Sequence, residues 1–178
     1  LLADLCQPAI GGTITMRRAL TLRPGVPASC ASEATTAYTL DAEVVLSPTA
    51  ALAVSGTYTA RETYPAPSPD DCTLEITGEG EVLLSVPGSD DGFGQEVASA
   101  VELYGGGAGG LGLAIASTHT TVATGHPSCA GTDVREEAFV FVLLFVEEDG
   151  VYVFDRDATG ETTCTSEVAT VRGRVTPQ

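Results

Sequence analysis

Long stretches of this chain alternate apolar and polar residues with a period of two, and that alternation restricts them to half-buried β-strands. From Thr13 to Arg23 the even positions carry Ile14, Met16, Leu20 and Leu22, the odd ones Thr13, Thr15, Arg17 and Thr21, and Arg18 is the exception. Tyr38, Leu40, Ala42, Val44 and Leu46 then alternate with Thr39, Asp41, Glu43, Val45 and Ser47; Leu52, Val54, Gly56, Tyr58 and Ala60 alternate with Ala53, Ser55, Thr57, Thr59 and Arg61. Each is a strand with one wet face. A fourth strand runs from Leu74 to Val86, and its Gly78-Glu-Gly80 reads as a bulge or tight turn.

The strands fall into two groups because the cysteine loops repeat. Gly25-Val-Pro-Ala-Ser-Cys30 returns as Gly125-His-Pro-Ser-Cys129, Gly11-Gly12 as Gly109-Gly110, and Cys72-Thr-Leu-Glu75 as Cys164-Thr-Ser-Glu167. Three landmarks in one order point to a duplicated unit. The expected fold is therefore all-β: an antiparallel eight-stranded barrel or two-sheet sandwich of two four-strand units, in one domain spanning 1–178. Residues 1–10 are a lead-in, 11–88 the first unit, 89–108 a connection and 109–178 the second unit. One short helix is expected at 95–104, where Val97, Ala98, Val101 and Tyr104 have helical spacing, before the flexible Gly105–Gly110 run. Hairpin turns are expected at Ser47-Pro48-Thr49 and Glu148-Asp149-Gly150.

Of the five cysteines none forms a Cys-x-x-Cys pair, which argues against a zinc ribbon or thioredoxin-type site. If each hairpin is clamped at its open end, Cys30 pairs with Cys72 and Cys129 with Cys164. Cys6 is then left alone, and Cys6–Cys30 is the rival scheme. Paired cysteines imply an oxidising compartment, so the expected location is extracellular, periplasmic or at the cell surface after removal of a signal peptide whose last residues are Leu1-Leu2. No run of about 18 apolar residues is present, so no transmembrane helix is expected. The net charge of −16, with no lysine, repels nucleic acid and anionic lipid.

Chemistry is sparse. His126 beside Cys129 reads as a loop histidine once the cysteine is oxidised, and no Gly-x-Ser-x-Gly elbow is present. The pairs Asp41/Glu43, Glu136/Glu137 and Glu147/Glu148 are the candidates for acid and base, but alternation places Asp41 and Glu43 on an outer, wet face where nothing raises a carboxyl pKa. Arg17-Arg18 is the one basic cluster, and Arg18, on an inward face, requires a partner buried with it. No cofactor is expected. The metal candidate is a calcium loop opened by Asp155, Asp157 and Thr159, although its twelfth position is Ser166 where a bidentate Glu belongs; Ser89-Asp90-Asp91-Gly92 is weaker. The Gly-x-Trp signature of lipocalin-like barrels is impossible in a chain without tryptophan.

The strand Phe139–Val146 is apolar on both faces, so one face must be covered by the 95–104 segment or by another chain. Its Phe139, Phe141, Leu143 and Phe145 side is the expected interface for a protein partner or self-association. These features favour a non-enzymatic, exported structural or interaction module, an accessory subunit of a cell-envelope or extracellular assembly. The first alternative is a barrel that carries a small apolar ligand among Leu40, Val44, Leu52, Val54, Tyr58, Leu74 and Ile76. The second is a hydrolase, which requires His119 or His126 beside a carboxylate in a cleft.

Overall fold

The computed structural model describes residues 10–25, 27, 29–30, 37–47, 55–66, 71–85, 109–129 and 131–177. These residues form eight antiparallel strands: β1 Ile10–Leu22, β2 Tyr38–Ser47, β3 Ser55–Tyr64, β4 Cys72–Ser85, β5 Gly109–Gly125, β6 Gly131–Glu148, β7 Val151–Glu161 and β8 Thr165–Pro177, with a 3-10 turn at Pro127–Cys129 before β6. The all-β antiparallel class expected from the alternation is the class observed. The expected 95–104 helix, the Ser47-Pro48-Thr49 turn, Ser89–Gly92 and Cys6 lie wholly or partly outside the described residues.

Each strand pairs with its chain neighbour, and β8 returns to β1, so the ladder forms a closed barrel. Period-two alternation decides what lies inside it. Ile14, Val44, Val82, Leu113, Ile115, Phe154 and Val175 are fully buried and form the centre of the core, with Leu40, Ala60 and Val171 packed around them. The outward positions of the same strands are charged or hydroxylated, with Arg17 bonded to Asp41 at 3.0 Å and Arg61 to Glu75 at 2.6 Å. An eight-stranded barrel is just wide enough for its own side chains to fill.

Three expectations need correction. Gly78 and Gly80 form neither bulge nor turn, because β4 runs through them unbroken. A Cβ on Gly80 would stand 2.2 Å from the Ala116 carbonyl oxygen, and one on Gly78 3.0 Å from His119 Nε2, so these positions are bare to let β5 and its side chains approach. β5 runs unbroken through Ser117–Thr121 to Gly125.

The disulfides are the second correction. Cys30 is bonded to Cys164, and Cys72 to Cys129. The pairing within each unit assumed that the two ends of one unit meet. In the barrel the neighbour of β1 is β8, with Leu22 opposite Thr165, and the neighbour of β4 is β5, with Cys72 opposite Gly125. Each cysteine loop therefore meets the start of the last strand of the other half. The Arg23 amide, donating to the Cys164 carbonyl at 2.9 Å, fixes the same approach.

The third concerns Arg18. Its partner is Glu167 of β8, and the pair is 48% and 32% exposed rather than buried, because it lies toward the barrel end crossed by the disulfides. The Arg18 guanidinium sits 5.6 Å from the Tyr38 ring centre, and Tyr38 stacks on Tyr64 at 5.4 Å.

Candidate functional site: an open seam between two strands

Seven of the eight ladders are long. That between β5 and β6, for example, runs from Gly109 opposite Phe145 to Ala123 opposite Gly131. The β6–β7 ladder holds only Val146 opposite Val153, Glu147 opposite Tyr152 and Glu148 opposite Val151. The turn joining them is the expected one: Asp149 at φ 51° and Gly150 at φ 79° supply the two left-handed residues of a tight hairpin. Continuing that register would set Phe145 opposite Phe154 and Ala138 opposite Glu161, yet among the described residues these stretches pair only with β5 and β8. From an aromatic apex, where Phe145 lies 4.2 Å from Tyr152 and 5.8 Å from Phe154, toward the disulfide-bearing end, β6 and β7 are thus unpaired with each other. Residues 131–138 and 155–161 are exposed along the two rims of this seam.

The inner wall beside the seam is aromatic and polar. Tyr58 reaches across to Phe139 at 5.5 Å and Phe141 at 6.4 Å, and Phe139 packs edge-on to His119 at 5.9 Å. His119 Nδ1 faces Glu137 at 3.7 Å. Behind this pair the Ser117 hydroxyl and His119 Nε2 are buried and make no hydrogen bond among the described residues, an arrangement uncommon enough in native interiors to call for a cause. Burial, assisted by the charge of Glu62, pushes the Tyr58 phenol up to about 12. Burial and donation to Glu62 at 2.8 Å do the same for Tyr64, also to about 12.

The expected site residues are redistributed by this geometry. Phe139, Phe141, Leu143 and Phe145 do not form an outer face: Leu143 is buried, and the three phenylalanines pack against the core. What β6 leaves unpaired among the described residues is its edge toward β7 beyond Val146. Asp155, Asp157 and Thr159 form no loop, since they lie in β7, and Arg172 bridges both carboxylates at 3.2 and 2.7 Å. An extended strand with an arginine between its acids does not gather oxygens around one ion. His126 is exposed and bonded to the Ser128 hydroxyl at 2.7 Å. His119 does meet a carboxylate, as the hydrolase alternative requires, but Ser117 makes no bond to it, so the contact between nucleophile and base is not formed.

Sequence reasoning found His119 and Glu137 as residues but not as a pair, named Tyr58 only as lining for the carrier alternative, and missed the role of Ser117 and the seam. The usable signal was Ser117-Thr-His119, polar at inward positions of a strand that opens with Leu113 and Ile115. Among the described residues no helix is long and apolar enough to cross a membrane. No family model, curated protein or solved structure matches this chain.

Proposed function

We propose that this chain is a non-enzymatic interaction module of an exported assembly, and that it binds by accepting an extended segment at the β6–β7 seam. The observation that carries this reading is the β6–β7 ladder, which stops at Val146 opposite Val153 although both strands continue. Unpaired strand edges present a row of N–H and C=O groups that another strand can complete. Because β6 and β7 run antiparallel, one added strand is antiparallel to one edge and parallel to the other. The two disulfides agree with an oxidising compartment. The carrier alternative is weaker, because Val44 and Tyr58 of its lining are spent on the core itself.

Hydrogen–deuterium exchange on the oxidised protein tests the proposal. The seam-facing amides of 138–145 and 154–161 should exchange faster than those of the β1–β2 ladder, and an extended β-prone peptide should protect them. Seam amides as slow as those of β1 in the free protein, or unaltered by every such peptide, would contradict it.

We further propose that the two halves arose by duplication, with each disulfide crossing between them. Exchanging the halves maps Cys30 onto Cys129 and Cys164 onto Cys72, and so maps each bridge onto the other. Both loop cysteines donate their amide to the carbonyl three residues earlier, at 2.9 and 2.8 Å. A buried aromatic on the third strand of each half faces a glycine on the fourth: Tyr58 opposite Gly80, and Phe154 opposite Gly173. Two residues beyond each glycine comes a buried valine, Val82 or Val175. Peptide mapping without reduction tests the premise, and Cys30 found bonded to Cys72 would remove it.

A further inference from the structure

We infer that the segment completing the seam is basic, and that it places one long cationic side chain into the barrel against Glu137. This rests on the strand-addition reading above. Three observations carry it. First, the β6 rim is acidic: 131–145 holds Asp133, Glu136 and Glu137 against Arg135, a net −2, whereas the acids of 154–161 are offset by Arg156, by Arg172 on Asp155 and Asp157, and by Arg23 at Glu161. A second copy of the chain would bring another −16 to this surface, whereas a basic segment is attracted to it and steered onto it.

Second, the Glu137 side chain is 50% exposed at the mouth of the seam, and the ring nitrogen it faces among the described residues is His119 Nδ1 at 3.7 Å. Arg135, two residues earlier on the same side of β6, is turned away onto Asp133 at 2.6 Å. Third, the buried Ser117 hydroxyl and His119 Nε2 behind Glu137 have no partners among the described residues. With Nδ1–H directed at a carboxylate, Nε2 of the neutral ring is an acceptor, as is the hydroxyl.

A strand laid beside β6 stands about 4.8 Å away and directs alternate side chains inward, so the residue opposite Glu137 points at its carboxylate. Arginine fits best there, since its fork has donors for the carboxylate and for an acceptor behind it. Phe139 supplies an aromatic wall for the stem.

The test uses ten-residue Thr/Val peptides that differ only at the central inward position, Arg, Ala or Glu, titrated into the intact oxidised protein and into Glu137→Gln with exchange protection as the site readout. The Arg peptide should bind about tenfold tighter than the Ala peptide, and the Glu peptide weakest. On Glu137→Gln the Arg advantage should shrink to about threefold or less, and added salt should weaken it on the parent protein. Equal affinity of Arg and Ala peptides with the seam protected overturns the cationic anchor and leaves strand addition standing. A dimer whose seam is protected without any peptide overturns the basic partner. Failure of all three peptides to protect the seam overturns both readings.

Discussion

Alanine at Gly80 or Gly173 should destabilise the barrel, although in most strand interiors the same change stabilises. An ideal Cβ on Gly80 would lie 2.2 Å from the Ala116 carbonyl oxygen and 2.7 Å from Ser117 Cα; on Gly173 it would lie 2.5 Å from the Thr13 carbonyl oxygen and 2.8 Å from Ile14 Cα. These neighbours are backbone atoms of paired strands, so no side-chain rotation relieves the overlap and the ladder itself must shift. The added methyl and the lower chain entropy together favour alanine by roughly 1 to 2 kcal/mol. Overpacking opposes this with roughly 3 kcal/mol or more when only backbone can yield, leaving a net loss of about 2 kcal/mol. For a 178-residue domain that lowers Tm by roughly 4 to 8 °C. Gly131→Ala is the control: a Cβ there meets nothing within 4 Å, and it should be neutral or gain up to about 1 kcal/mol. Thermal unfolding followed by circular dichroism under oxidising conditions measures all three. If Gly80→Ala and Gly173→Ala both melt within about 1 °C of the parent, the close approach of β4 to β5 and of β8 to β1 is not as described.

Removing Cys30–Cys164, which spans 134 residues, should cost about 5 kcal/mol by loop entropy, and removing Cys72–Cys129, which spans 57, about 4 kcal/mol; because the second loop is nested in the first, the two losses should not add, as denaturant titration of the alanine pairs will measure. Tyr58 and Tyr64 should ionise only near pH 12, well above the ordinary tyrosine value of 10, in an ultraviolet titration. Since their folded pKa, about 12, stands above the ordinary value of 10, the unfolded chain ionises first. The stability they contribute is intact below pH 10 and lost as pH rises toward 12, and no loss over that window would refute their burial.

The strands were legible where one face was apolar and the other wet. Alternation alone sets the bounds of β2 at Tyr38–Ser47 and the faces of β8, where Val168 is exposed and Val175 buried. It failed on β5 because Ser117 and His119 occupy inward positions, an inversion that only the bare glycines of β4 permit. A glycine inside a strand reads equally as a bulge or as a close approach until its neighbour is known. The disulfides were illegible for a related reason: which cysteine loops meet depends on β8 returning to β1, a contact between opposite ends of the chain. The two apolar faces of Phe139–Val146 were legible, but they do not reveal which face is core, still less that its edge toward β7 is unpaired among the described residues.

The contrast between two hairpins explains why the seam stays open. β2 and β3 pair from Thr39 opposite Thr63 to Ser47 opposite Ser55, and their inward pairs match large with small or complementary groups: Val44 with Tyr58, Ala42 with Ala60. Zipping β6 onto β7 in the existing register would set Leu143 opposite Arg156. Arg156 lies on the Phe154 side of β7 and is now exposed. Closure would drive its guanidinium into an interior lined by Leu143, Phe141 and Phe145, and a charge buried without a partner costs several kcal/mol, more than a few strand pairings return. Arg156 thus acts as a wedge that keeps both edges available. Arg156→Val should let the strands zip: exchange at 138–145 and 154–161 should slow by about tenfold or more, and peptide binding at the seam should weaken in parallel. If the variant folds with both rims exchanging as fast as before, the charge is not what holds the wall apart, and crowding by Tyr58, Phe139 and Phe141 takes its place as the cause.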